Sequence, residues 1–177
     1  IGVTAAMDEA AFQTNQLLLP LVFALIFATV MIFYSSLSAG FMMFLAMSFA
    51  TTLTYAYMGL AGVGININTV PVIAVGIGVG IDYSIYMMDR IREQRATSAD
   101  LLAAVRGAMA STGLAISFTA ITLIAGIIMW VFLSDLRFQA DAALLLSVMV
   151  VLNALAALVL VPAWILVTKP AFIESEK

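Results

Sequence analysis

Long apolar runs interrupted by short polar ones dominate this chain, and between Glu9 and Asp82 lie 72 consecutive positions without an Asp, Glu, Lys or Arg. A helix needs about 20 apolar residues to cross a bilayer, so this stretch alone holds more than two crossings. The pattern predicts five spans, at 17–33, 37–60, 69–88, 113–133 and 142–167. "YSSLSAG" separates the first pair, and "AGVGININ" separates the second and third, because Ser, Gly and Asn break the helical pattern. Pro71 is acceptable in the first turn of the third span, where no intrahelical N–H bond is lost. Pro162 is expected to kink or loosen the fifth.

Residues 1–16 are polar and small and form an expected extracytoplasmic lead-in. Residues 89–110 are the most hydrophilic stretch. There Thr97 and Asp100 have capping-box spacing before "ADLLAAVRGAM", which predicts a short amphipathic helix on the membrane surface. Residues 168–177 form a cytoplasmic tail. Arg90, Arg92, Arg95 and Arg106 share one loop, and the positive-inside rule sets that loop in the cytoplasm. Lys169 and Lys177 then fall on the same side, leaving only Arg137 outside, with Trp130 and Trp164 near opposite ends of the last two spans. The amino terminus is therefore expected outside and the carboxyl terminus inside. With Ile1 first and no basic start leading into an apolar segment, the chain reads as part of something longer.

Composition agrees with this all-α, polytopic reading: 64% of residues are hydrophobic and 10% charged, against about a quarter charged in soluble domains. The net charge of −3 offers no basic patch for nucleic acid. With neither cysteine nor histidine, the chain has no disulfide, no thiol nucleophile and no usual zinc or haem ligand. No metal, cofactor or catalytic group is expected, and an intramembrane enzyme is the least favoured class.

Asp82 is the residue out of place. It sits about thirteen residues, or ~20 Å, into the third span, where a charged Asp costs about 2.5–3.5 kcal/mol on the insertion scale. Desolvation penalises its charged form, which suits a group that takes up and releases protons. A structural carboxyl bonded to a neighbouring helix is the plainer alternative. Tyr83 points about 100° away yet can reach a water or a helix near the carboxyl. Tyr86 and Asp89 continue the Asp82 face towards the charged end, a polar stripe suited to a hydrated exit for protons, although Asp89 reads first as a solvated helix end near Arg92 or Arg90.

Gly76, Gly78 and Gly80 lack the spacing and the lysine of a nucleotide loop. Gly76 and Gly80 instead make a GxxxG face for close helix approach, and Gly78 clears space beside the carboxyl. On the fourth span Thr119 and Thr122 share a face and are candidate partners for Asp82; each hydroxyl, like that of Ser117, can equally bond its own helix backbone. Asn153, in the fifth span, is a further buried polar candidate.

The segments "GIGVGIDYSIYMMDRIREQ", "AVRGAMASTGLAISFTAITLIAG" and "LRFQADAALLLSVMVVLNALAALVLVPAWI" resemble the membrane half of a resistance-nodulation-division (RND) transporter. The similarity is to the branch of hydrophobe exporters and mycobacterial membrane protein large (MMPL) lipid transporters, related to sterol-sensing domains. It implies five helices following an extracytoplasmic domain, in the carboxyl-terminal of two repeats, in an inner (plasma) membrane. It also implies proton antiport through Asp82 and Tyr83, with hydroxyl partners falling on Ser117, Thr119 and Thr122, and export of lipids or other hydrophobic compounds. The implied partners are the first repeat, the extracytoplasmic porter domains, membrane lipids and the hydrophobic substrate; a second copy or an adaptor protein is left open, and no cofactor is implied. A lipid- or sterol-sensing module and a structural subunit without transport of its own are the alternatives.

Overall fold

The structure, a computed structural model, describes residues 2–98 and 100–174, and the described residues contain helices and no strands. Five helices are long and apolar enough to cross a membrane: Ala5–Tyr34, Leu37–Ala61, Thr69–Thr97, Leu101–Leu133 and Arg137–Thr168. The all-α, five-span reading is therefore correct. Ile1 and residues 175–177, with Lys177 of the expected tail, lie outside the described residues.

Helix α1 runs Gly2–Tyr34, so the stretch read as a lead-in continues the first span as helix. Its Ala, Met, Glu and Gln are good helix formers, and Asn15 within it is buried, donating to the Tyr55 hydroxyl at 2.9 Å. Ser35 and Ser36 make the turn into α2, Leu37–Ala61, whose first turn is capped by the Ser36 hydroxyl and whose end is capped by Gly62 at φ 68°. That left-handed conformation favours glycine. Asn66 prepares α3, Thr69–Thr97, by accepting from the backbone of Asn68 and Thr69 at 2.9 and 3.0 Å.

Hydropathy places the end of the third span near residue 88, but α3 continues to Thr97. Ile91, fully buried one turn after Met87, keeps its inner face attached to the bundle. The capping-box reading is corrected here. Thr97 is still inside α3, its hydroxyl donating to the Gln94 carbonyl, and Asp100 itself caps α4, Leu101–Ala108, by accepting from Leu102 N at 3.3 Å. Helix α4 buries one face through Ala104, Val105 and Ala108 and passes through a π-helical turn, Met109–Gly113, directly into α5, Leu114–Leu133.

A three-residue link leads to α6, Arg137–Leu155, which continues through a second π-helical turn, Ala156–Leu160, into α7, Val161–Thr168. Met149, Asn153, Ala157, Val161 and Ile165 are all buried at a strict spacing of four. In a regular α-helix such a stripe drifts by about 160° over its length, and a wider turn takes part of that drift back. A short α8, Ala171–Glu174, closes the described chain, with Phe172 and Ile173 buried.

Helix α3 is the centre of the bundle, flanked by α2, α4 and α6. One core joins Met42, Met43, Met87, Met88, Ile91 and Val150; another joins Met47, Met58, Ile73, Ile77, Leu145 and Met149. Lipid tails are as apolar as these side chains, so close packing, more than hydrophobic transfer, holds such helices together. Gly76 and Gly80 supply it. A Cβ built on Gly76 would lie 2.6 Å from the Met149 sulfur, and one on Gly80 would overlap the Asn153 carboxamide.

Candidate functional site

Helix α3 has two opposite faces. Gly76, Ile77, Gly80, Tyr83, Ser84 and Met87 turn inwards, whereas Pro71, Val75, Gly78, Asp82, Tyr86 and Asp89 form one exposed stripe. At about 100° per residue these two sets lie on opposite sides of the helix. Asp82 is thus held on the outward face, and no hydrogen bond to another described residue engages it. Gly78, one turn before it, has no atom within 4 Å of where a Cβ would be, so the space beside the carboxyl is open.

Tyr83 is 4% exposed, and its hydroxyl has no hydrogen-bond partner among the described residues. It borders a cleft of about 360 Å³ between α3 and the start of α5, lined also by Tyr86, Asp89, Arg90, Thr112 and Thr119. At the charged end Arg90 pairs with Glu93 at 2.5 Å and donates to the Ser111 hydroxyl at 3.1 Å. The cleft therefore runs from a buried phenol to an ion pair, and its walls carry hydroxyl and carboxyl oxygens suited to ordering water.

Of the three hydroxyls expected on the fourth span, Thr119 borders this cleft. Ser117 donates to the Gly113 carbonyl at 2.9 Å, and Thr122 to the carbonyls of Phe118 and Thr119 at 3.1 and 2.9 Å. Those two bond their own helix, as hydroxyls in lipid commonly do, and neither is bonded to Asp82. Gly76 and Gly80 face α6, and Gly78 faces outwards.

Two contacts bring together residues that the sequence does not pair. The Tyr34 hydroxyl, at the end of α1, donates to the Asp89 carboxylate across 55 positions. Asp89 therefore joins two helices, where the sequence reading made it a solvated helix end or a member of the polar stripe. Its one sequence cue is an aromatic hydroxyl at the edge of an apolar run. Asn153 donates to the Gly76 carbonyl at 2.8 Å from within the buried α3–α6 contact. Among the described residues no group of three or more acidic side chains, His or Cys is placed to hold a metal ion.

A family model, described as the MMPL family, matches residues 2–175. The chain belongs to the MMPL family. This MMPL chain thereby falls in the branch of the RND superfamily that its Gly78 to Tyr83 segment resembles. MMPL is a transporter family, so the five apolar helices are a multi-pass membrane module of transporter type. No curated protein and no solved structure gives a significant match to it.

Proposed function

We propose that this chain is the membrane part of a proton-motive-force-driven transporter that exports lipids or other hydrophobic compounds, with Asp82 and Tyr83 as its proton relay. The observation that carries the reading is the pairing of an outward-facing carboxyl at hydrocarbon depth with an adjacent buried hydroxyl that has no partner among the described residues and borders a cleft carrying hydroxyl and charged side chains in a largely apolar wall. A carboxyl placed there is costly, and intramembrane acids of this kind serve ion pathways and relays. In this reading Asp82 takes a proton from outside. Water held by Tyr83, Tyr86, Thr119 and Asp89 then carries it to the Arg90 and Glu93 end.

The module is set with its amino terminus outside and its carboxyl terminus inside an inner (plasma) membrane, since the arginines cluster at the α3–α4 end. The exposed α3 stripe is the face that a first repeat would cover, and extracytoplasmic porter domains would supply the substrate path. One charge moved through 100 mV is worth about 2.3 kcal/mol, which biases a two-state change without completing it, so more than one proton or an added pH gradient drives a full cycle.

The test is efflux of a lipophilic substrate by the full protein under an imposed pH gradient, with Asp82→Asn beside the wild type at equal insertion. Loss of gradient-driven efflux is expected. Unchanged efflux would make Asp82 structural.

A second reading, a lipid- or sterol-sensing module, is favoured by a groove of about 580 Å³ between α1 and α2, walled by Pro20, Phe23, Phe27, Phe41 and Phe44. Such a surface suits an acyl chain or a fused ring. This reading predicts lipid affinity indifferent to Asp82→Asn and to uncouplers.

A further inference from the structure

Helix α3 can present Asp82 outwards only if something fixes its rotation, and one feature of the α3–α6 contact is suited to that. Asn153 is 5% exposed, and its amide donates to the Gly76 main-chain carbonyl at 2.8 Å. The same carboxamide fills the notch over Gly80, where a Cβ would overlap it. Gly76 and Gly80 are the α3 glycines that face α6; Gly78, the third in the run, opens to the opposite side. Rotating α3 by one residue, about 100°, would therefore bring Ile77 or Ile81 to the carboxamide and break the bond.

Gly80 and Asp82 differ by two positions, or about 200° around the helix, so the notch lies behind α3 and the carboxyl in front of it. Because the bond is made to a backbone carbonyl, it does not depend on the ionisation of any α3 side chain. The π-helical turn Ala156–Leu160 starts three residues after Asn153. Such turns are commonly found at functional sites, and this one lets Asn153 and the later Ala157 and Val161 stay on the α3 side together.

We propose that Asn153 is a positioning residue for the relay: it pins the rotational register of α3, and so the direction in which Asp82 points. The inference rests on the relay reading for its consequence in transport, but the register itself can be measured independently.

The experiment uses the full protein carrying Ala96→Cys, an exposed position that continues the Asp82 face of α3 beyond the apolar span, as its single reactive cysteine; this chain contributes none of its own. The labelling rate with a small membrane-permeant maleimide reports how the outer face of α3 is turned. Gradient-driven efflux against external pH is measured alongside. Asn153→Leu keeps the branched outline at a larger volume and removes the donor, while Asn153→Ser, which is smaller and cannot reach Gly76, guards against overpacking or misfolding of the first variant. Both are expected to change the labelling rate at least threefold, to lower efflux about tenfold and to displace its pH profile, at wild-type insertion. Unchanged labelling and an unchanged pH profile in both variants would overturn the proposal and leave Asn153 as a packing residue. If Asp82→Asn transports normally, the relay reading fails, and the labelling arm still decides whether Asn153 sets the register.

Discussion

Tyr83 holds a hydroxyl that is buried without a partner among the described residues, and leaving such a group unsatisfied costs about 1–3 kcal/mol. If water in the cleft serves it during a cycle, the hydroxyl is kept for function at the expense of stability. Tyr83→Phe is then expected to leave the melting temperature unchanged or raise it while lowering gradient-driven efflux at least tenfold. Thermal unfolding and flux measured on one preparation check this, and a parallel fall in both would contradict it. Tyr34→Phe removes the bond to Asp89 across α1 and α3. It is expected to cost about 1–3 kcal/mol, because a charged acceptor loses its donor, and chemical denaturation of the purified protein measures that loss. Asp82 was legible in the sequence since a lone acid in an apolar run contradicts its surroundings. The partners of Asp89 and Gly76 were not, because periodicity reports the face a residue occupies and is silent about which distant side chain meets it.

The glycine run on α3 makes the element-scale prediction. Gly78 opens to free space, so Gly78→Ala is expected to stabilise by about 0.5–1 kcal/mol through the higher helix propensity of alanine. Gly80→Leu forces a side chain into the space of the Asn153 carboxamide and is expected to destabilise by at least about 1–3 kcal/mol, the usual cost of overpacking. Melting curves of the two variants in one detergent check the opposite signs; equal effects would mean that α6 does not pack on this face. The sequence showed that five helices exist and where the glycines lie. It does not give where each helix ends, because hydropathy marks where lipid is and the hydrogen-bonded helix continues beyond it. Thus α3 reaches Thr97 with Ile91 buried on its inner face, and α4 joins α5 through the π-helical turn Met109–Gly113 without an intervening loop.

For the whole molecule, the outward stripe of Val75, Gly78, Asp82 and Tyr86 is poorly suited to lipid, since an exposed carboxyl in hydrocarbon is costly. In the proposed transporter a facing set of transmembrane helices is the expected cover. A photoreactive residue placed at Val75 is expected to crosslink to protein in the native membrane, and crosslinking to lipid alone would contradict that cover. The family was legible from the Gly78 to Tyr83 segment. Substrate class was not, because nothing in a bundle of apolar helices discriminates between one hydrophobic cargo and another. The central claim is that protons cross through Asp82 as cargo is moved. It is tested most directly by following internal pH in proteoliposomes of the full protein as a lipophilic substrate is added. Substrate-dependent proton movement is expected in the wild type and none with Asp82→Asn; movement of equal size in both would rule out Asp82 as the proton's route.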